Sequence, residues 1–302
     1  MTSSLYIKPL HWLSHSILLA GALLLFYPVL FIVMASLFTP EEFNTTSIGF
    51  LPIAEAPTLQ NLKTLFFVSI NETNLQFYQN SIFRTLYGTL CAVLTSLLGG
   101  YVFARLRFRG REALFLALLA TQMIPGIISV MPTYLELARF PFAGGNDIFY
   151  GGKGLLNTWW VYVLLHGPAI NIMGTFLVKQ SLEKTPRELD EAAKVDGAGT
   201  LRLIFGILMP LQKPVLAFVA ITASIGLWND WQTPFYFTSS TKLQTISSIL
   251  TRLTAFAGKE GEMPNFPAIM SFSLLLTVPS LLMFFIFQKQ IIQGLANTGI
   301  KG

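Results

Sequence analysis

The chain has 302 residues, 53% of them hydrophobic and only 12% charged, with a formal net charge of +5 and a mean hydropathy of +0.58. A soluble domain carries about 25% charged residues, so this composition excludes a water-soluble globular enzyme and points to a bilayer. One cysteine, Cys91, excludes an intrachain disulfide and reads as a small core hydrophobe.

Six runs lack Asp, Glu, Lys and Arg: 9–40, 85–104, 113–135, 154–178, 214–229 and 263–288. A spanning helix needs about 20 mostly apolar residues, a length the fifth run reaches only by carrying Asp230 inside and continuing to 241. Hydrocarbon admits only helices or closed barrels, and period-two alternation is absent. The sequence therefore predicts an all-α membrane protein, six transmembrane helices in one domain over 1–302. The first run, 32 residues long, exceeds a signal peptide's apolar core of about 7–15 residues and is read as an uncleaved helix.

Between these runs lie a long polar segment, 41–84, with Pro52 and Pro57, taken as the first extracytoplasmic loop, and the basic cluster Arg105, Arg107, Arg109 and Arg111. The cluster reads as a topology determinant and headgroup anchor, with contact to another protein as the lesser reading. A glycine-rich outer loop spans 136–153; its GGKG lacks the pattern of a phosphate loop, and no such motif occurs elsewhere. With the N-terminus inside, thirteen of the twenty basic residues fall on cytoplasmic segments, giving them a net charge of +7 against −2 outside. The basic balance thus reports topology, both termini cytoplasmic, and no nucleic-acid partner. His11, His15 and His166 stand alone, without the spacing of a metal site, and His166 reads as a packing residue. Nothing suggests a catalytic centre.

The cytoplasmic loop, 180–213, is unlike the rest, crowding acids and bases around Glu191-Ala192-Ala193. Thr185, Pro186 and Glu188 read as a capping box opening a helix of ten or so residues, and Gly197 is placed to end it. Leu189, Ala192 and Ala193 form a narrow apolar face. A second helix follows Gly199, until Pro210 and Pro214 turn the chain into the fifth run. Either this elbow docks on a partner, or it rests at the lipid headgroups.

Acids inside a membrane are functional candidates. Asp230, with Trp228, Asn229 and Trp231, offers the rings and polar groups a sugar-binding surface needs, or else faces water or pairs with a neighbouring helix, and Gln122 is a further polar candidate on the path. Asn157 and Asn171 suit helix–helix hydrogen bonds, and Pro125, Pro132 and Pro168 suit kinks. An ion-driven secondary transporter of a small polar solute and a non-transporting scaffold stay open on these residues alone.

Glu191-Ala192-Ala193, Gly197 and Ile207-Leu208-Met209-Pro210 resemble the EAA loop of ABC-importer permeases, with Met209 in place of the usual Leu. YVFARLRFRGR (101–111), QMIPGIISVMPTY (122–134), LLNTWW (155–160), WND (228–230) and the tail GLANTGIKG (294–302) are similar to carbohydrate permeases of the maltose-transporter type, specifically the MalG-like partner. The resemblance covers about residues 10–302 and implies a type I importer permease (MetI-like) fold with a cytoplasmic coupling helix. It implies that Glu191, Ala192, Ala193, Gly197, Leu189 and Pro210 couple to a cytoplasmic homodimeric ATPase that holds ATP and Mg, none of which this chain binds. The C-terminal tail, 289–302, would contact that ATPase through Gly294, Leu295 and Lys301. The implied partners are a second, MalF-like permease subunit, an extracytoplasmic solute-binding protein, a carbohydrate and membrane lipid, in a bacterial inner membrane.

Overall fold

The structure, a computed structural model, describes residues 7–45, 49–67, 73–147, 151–167, 169–255 and 265–299. No strand occurs among the described residues. The first run becomes α1 (Ile7–Ala35), with Pro28 inside it. Helices α2 (Pro40–Thr45) and α3 (Gln60–Phe67) follow, and the second run lies in α4 (Thr73–Arg105). The third run divides into α5 (Arg111–Thr121) and α6 (Gly126–Ala138), which meet at 97°. Pro125 stands at the start of α6, where it lacks an amide and disfavours helix in the residue before it. Pro132 lies inside α6.

The fourth run is interrupted between α7 (Trp160–His166) and α8 (Ile172–Glu183), where the Asn171 side chain caps the new helix. Pro168 lies outside the described residues. After the loop helix α9 (Glu188–Val195) come α10 (Thr200–Leu211) and α11 (Lys213–Asn229), bent by 83° at Gln212, between the two prolines expected to turn the chain. The chain ends in α12 (Gln232–Phe237), α13 (Ile246–Ala255) and α14 (Phe266–Gly299). Among the described residues, three helices are individually long and apolar enough to cross a bilayer, or up to five spans if each bent pair is one. The predicted six are therefore not reproduced one for one, because proline and glycine break the runs that composition alone shows as continuous.

Residues Met1–Asn74 with Leu250–Val278 form one compact unit, and Leu75–Ile249 with Pro279–Gly302 form another. In the first, Asn61 Nδ2 donates to the carbonyls of Ser36 (2.9 Å) and Phe38 (2.7 Å), closing the chain between α1 and α3. Tyr27 stacks on Phe50 and donates its hydroxyl to the Phe50 carbonyl at 2.6 Å.

In the second unit, α4 and α8 approach through small residues. A Cβ on Gly100 would lie 2.4 Å from Val178 Cγ1, and one on Gly174 2.1 Å from Ser96 Oγ. Close backbone approach of this kind is how helices associate where no hydrophobic drive separates them from lipid. The crossing continues into an apolar core formed by Leu97, Tyr101, Val178, Leu182, Ile204 and Leu208. Within α10, Leu203–Leu208 is wound as a π-helix, whose wider turn sets Leu203 and Leu208 one turn apart, both buried.

Candidate functional site

The charged loop after α8 folds as an eight-residue helix, α9, between two turns. It starts later than the capping box predicts. The Thr185 hydroxyl instead donates to the Ser181 carbonyl at 3.2 Å and accepts from Gln212 Nε2 at 3.2 Å, and Arg187, at the N-cap, makes no side-chain cap. The helix ends where the sequence places its end. Gly197 has φ +76°, its amide bonds the Lys194 carbonyl at 3.0 Å, and the Ala198 amide bonds the Ala193 carbonyl at 2.9 Å. These are the two bonds of a Schellman cap, which needs a left-handed residue at that position.

So short a helix is marginal alone, and tertiary contacts hold it. Ala193 is buried in the core shared with α4, α8 and α10. Asp190 pairs with Arg105 Nε at 2.8 Å, the two side chains 12% and 5% exposed. Arg105 also donates to the Thr185 carbonyl at 3.0 Å, and Arg187 donates to the Ala104 carbonyl at 3.3 Å. The helix is thereby fixed to the C-terminal end of α4.

Two expectations change here. Arg105, read with its neighbours as a headgroup anchor, is an internal strut. The predicted apolar face divides: Ala193 turns inward, while Leu189, Glu191 and Ala192 stay exposed, as does Pro210 further along. Gly294 and Leu295 lie within α14, and Lys301 lies outside the described residues.

The second constellation lies among α4, α7, α12 and α13. Asp230 follows α11 directly and caps α12. Its Oδ1 accepts from the amides of Gln232 (2.9 Å) and Thr233 (3.2 Å), and its Oδ2 from the Thr233 hydroxyl (2.6 Å) and the Arg84 guanidinium. Arg84 Nη1 donates to the Asp230 carbonyl at 2.9 Å, which also accepts from the Ser247 hydroxyl at 2.9 Å. Arg84 Nη2 lies 3.0 Å from His166 Nε2, and its guanidinium sits 5.3 Å from the centre of the Tyr162 ring.

Of the readings of Asp230, pairing with a neighbouring helix agrees with this arrangement and an open sugar-binding carboxylate does not, since both its oxygens are occupied within the chain. The other path candidates do not gather around it. Trp228 is buried, Asn229 is exposed and donates to the Ile225 carbonyl at 2.8 Å, and Gln122 is exposed at the α5–α6 bend. Arg84, which the sequence places at the end of an outer loop, is inside α4 and 1% exposed. Its only sequence signal is that it abuts the 20-residue uncharged run 85–104. His166 belongs to the cluster and is more than packing. Asn157, at φ +59°, pins the chain after α12 by accepting the amides of Ser239 (3.0 Å) and Ser240 (2.7 Å).

A helical chain with apolar stretches long enough to cross a bilayer, an ion pair buried among its helices and a short helix fixed to the end of one of them is a polytopic helical membrane protein. The family described as "Binding-protein-dependent transport system inner membrane component" matches residues 92–297, and the chain belongs to it: it is the inner-membrane permease subunit of an ABC importer, a transport component and not a catalyst.

Among its relatives, "Galactooligosaccharides transport system permease protein GanQ" of Bacillus subtilis (strain 168) is 30% identical over 290 residues, covering 96% of this chain and 95% of that protein. "Melibiose/raffinose/stachyose import permease protein MelC" of the same organism is 29% identical over 225 residues, covering 74% and 75%. Among solved structures, a bacterial ABC transporter involved in the import of the acidic polysaccharide alginate superposes with a TM-score of 0.75 over 96% of this chain and 99% of that one, a likeness of fold at 19% identity. None of these findings supports the ion-driven alternative.

Proposed function

We propose that the chain is one of two permease subunits of a carbohydrate importer, and that α9 is its coupling helix. The observation that carries this reading is the EAA loop itself. Its helix is held rigidly from behind by Asp190, Arg105 and Ala193, while Leu189, Glu191 and Ala192 face outward. A helix so mounted passes a push from a docked subunit into α4 instead of absorbing it. ATP and Mg sit on a cytoplasmic homodimeric ATPase, and closure of that dimer biases the permease between inward- and outward-facing states. A solute-binding protein delivers the cargo from outside, and a MalF-like permease completes the path. The distribution of Lys and Arg supports cytoplasmic termini, with Gly294, Leu295 and Lys301 near the ATPase. The carbohydrate class is supported by relatives named for galactooligosaccharides, for melibiose, raffinose and stachyose, and for maltodextrin.

Purification of the tagged chain in mild detergent tests the assembly, with an ATPase and a second multi-span subunit expected to co-purify. Within the assembled complex, Glu191→Lys is expected to abolish substrate-stimulated ATP hydrolysis while leaving membrane insertion intact. A chain that purifies alone and moves solute without ATP overturns the reading.

A further inference from the structure

A cleft of about 400 Å³ opens between α4, α7 and α11, beside the Arg84–Asp230 pair. Its walls include Gly88 and Ala92 of α4 and Ala223 and Gly226 of α11, and its polar groups include His166 and Asn171. The volume falls in the range of small-molecule sites, about 300–1,000 Å³. We propose that this cleft is a subsite for an uncharged polyhydroxylated solute, held by two N–H donors, His166 Nδ1 and Asn171 Nδ2. The proposal rests on the carbohydrate-importer reading above and assigns part of the cargo path to residues of this chain.

Three observations converge on it. The first is the interruption of the fourth run. Between His166 and Ile172 the backbone leaves the helix, and Ala169, Ile170 and Asn171 line the cleft. Non-helical backbone at membrane depth is tolerated only where it is buried in protein or lines a cavity, and broken helices mark solute sites in transporters.

The second is the hydrogen-bonding state of the two side chains. A guanidinium has no acceptor, so the contact at 3.0 Å between Arg84 Nη2 and His166 Nε2 requires that nitrogen to accept. The imidazole proton then resides on Nδ1, for which no partner exists among the described residues. Asn171 Oδ1 accepts from the Gly174 amide at 2.8 Å, which fixes the amide's orientation and leaves both Nδ2 hydrogens to donate.

The third is charge. Arg84 and Asp230 cancel, and both oxygens of Asp230 are occupied. The cleft therefore offers donors without net charge. A cation finds no free acceptor in these groups and an anion no uncompensated charge, whereas hydroxyl and ring oxygens accept from both donors. The glycine and alanine walls admit the C–H faces of a sugar ring.

The test uses the complete importer, with its ATPase and binding protein, in proteoliposomes, and raffinose and maltotriose as probes. A side chain at Gly226 projects into open space, because a Cβ there meets nothing within 4 Å. Gly226→Cys in a Cys91→Ser background gives a single thiol in the cleft, read by a hydrophilic maleimide. The transported sugar is expected to slow its labelling about tenfold, and Gly226→Leu and His166→Phe to lower uptake at least about tenfold. His166→Gln, which keeps a donor, is expected to recover part of that loss. Labelling unaffected by a sugar that the same vesicles transport would overturn the subsite and leave the importer reading standing. If the unaltered complex transports neither probe, the carbohydrate reading fails and the proposal with it.

Discussion

Replacing Asp190 with Ala strands Arg105 at the C-terminal end of α4. The two side chains are 12% and 5% exposed, so water does not replace the lost partner. Breaking a buried pair by removing one member costs about 3–5 kcal/mol. Arg105 keeps its bond to the Thr185 carbonyl and Arg187 its bond to the Ala104 carbonyl, which argues for the lower end, about 3 kcal/mol. Undocking α9 relieves that cost, so the substitution favours the undocked loop. At about 1.36 kcal/mol per decade, the undocked population rises by about a hundredfold or slightly more. Amide hydrogen exchange across 188–198 in the assembled complex measures it directly. The Gly197 and Ala198 amides report the cap through their bonds to Lys194 and Ala193. Exchanging the charges, Arg105→Asp with Asp190→Arg, is expected to restore most of the protection. Unchanged protection in Asp190→Ala would refute the conclusion that this pair holds α9 in place.

At Gly197 nothing lies within 4 Å of an added Cβ, so the cost of Gly197→Val is conformational, about 1–2 kcal/mol from its positive φ. Gly197→Asn is expected to retain substrate-stimulated ATP hydrolysis far better than Val, a difference that steric loss alone would not produce. At Gly100, by contrast, a Cβ would meet Val178 Cγ1 at 2.4 Å and the Lys179 backbone nitrogen at 3.1 Å. Gly100→Leu is expected to cost about 3 kcal/mol or more, read as a lowered melting temperature and poor recovery of the complex in detergent. Arg84→Gln is expected to abolish transport while the chain still inserts. Arg84→Lys should not rescue it, because one ammonium cannot replace a fork that reaches the carbonyl and carboxylate of Asp230 and the ring of His166 together.

The elements most legible in the sequence are those set by local chemistry. Gly197 ends α9 because a left-handed residue is needed there, and the bend into α11 lies between Pro210 and Pro214. Pro125 and Pro168 suit kinks in the third and fourth runs, but that the helix is interrupted there was hidden, since Gln122 to Pro125 and Gly167 to Asn171 carry no charge and hydropathy passes over them. The ion pairs were hidden for another reason. Arg105 and Asp190 are 85 positions apart, Arg84 and Asp230 are 146 apart, and a charge at the edge of an apolar run reads the same whether it ends a span or turns inward. Asp230 was legible as an intramembrane acid, but its role was not, because its partners come from α4, α12 and α13. Thr185 misled in the opposite sense: its spacing to Glu188 fits a capping box, yet its hydroxyl is engaged by Ser181 and Gln212.

The separation of Arg84 from Asp230 also bears on how the protein is made. At about 5–20 residues per second, the ribosome delivers Asp230 about 7–30 s after Arg84, given the 146 positions between them. During that interval the guanidinium lacks its carboxylate; an arginine at the very centre of a spanning helix is disfavoured by about 2.5–3.5 kcal/mol, and Arg84, near one end of the apolar stretch Leu75–Arg105, incurs less. The packing of α4 around Arg84 is therefore incomplete until the segment carrying Asp230 has been made. The final seating of α4 is a late event of biogenesis, coupled across the chain to a segment that does not yet exist when α4 is synthesised.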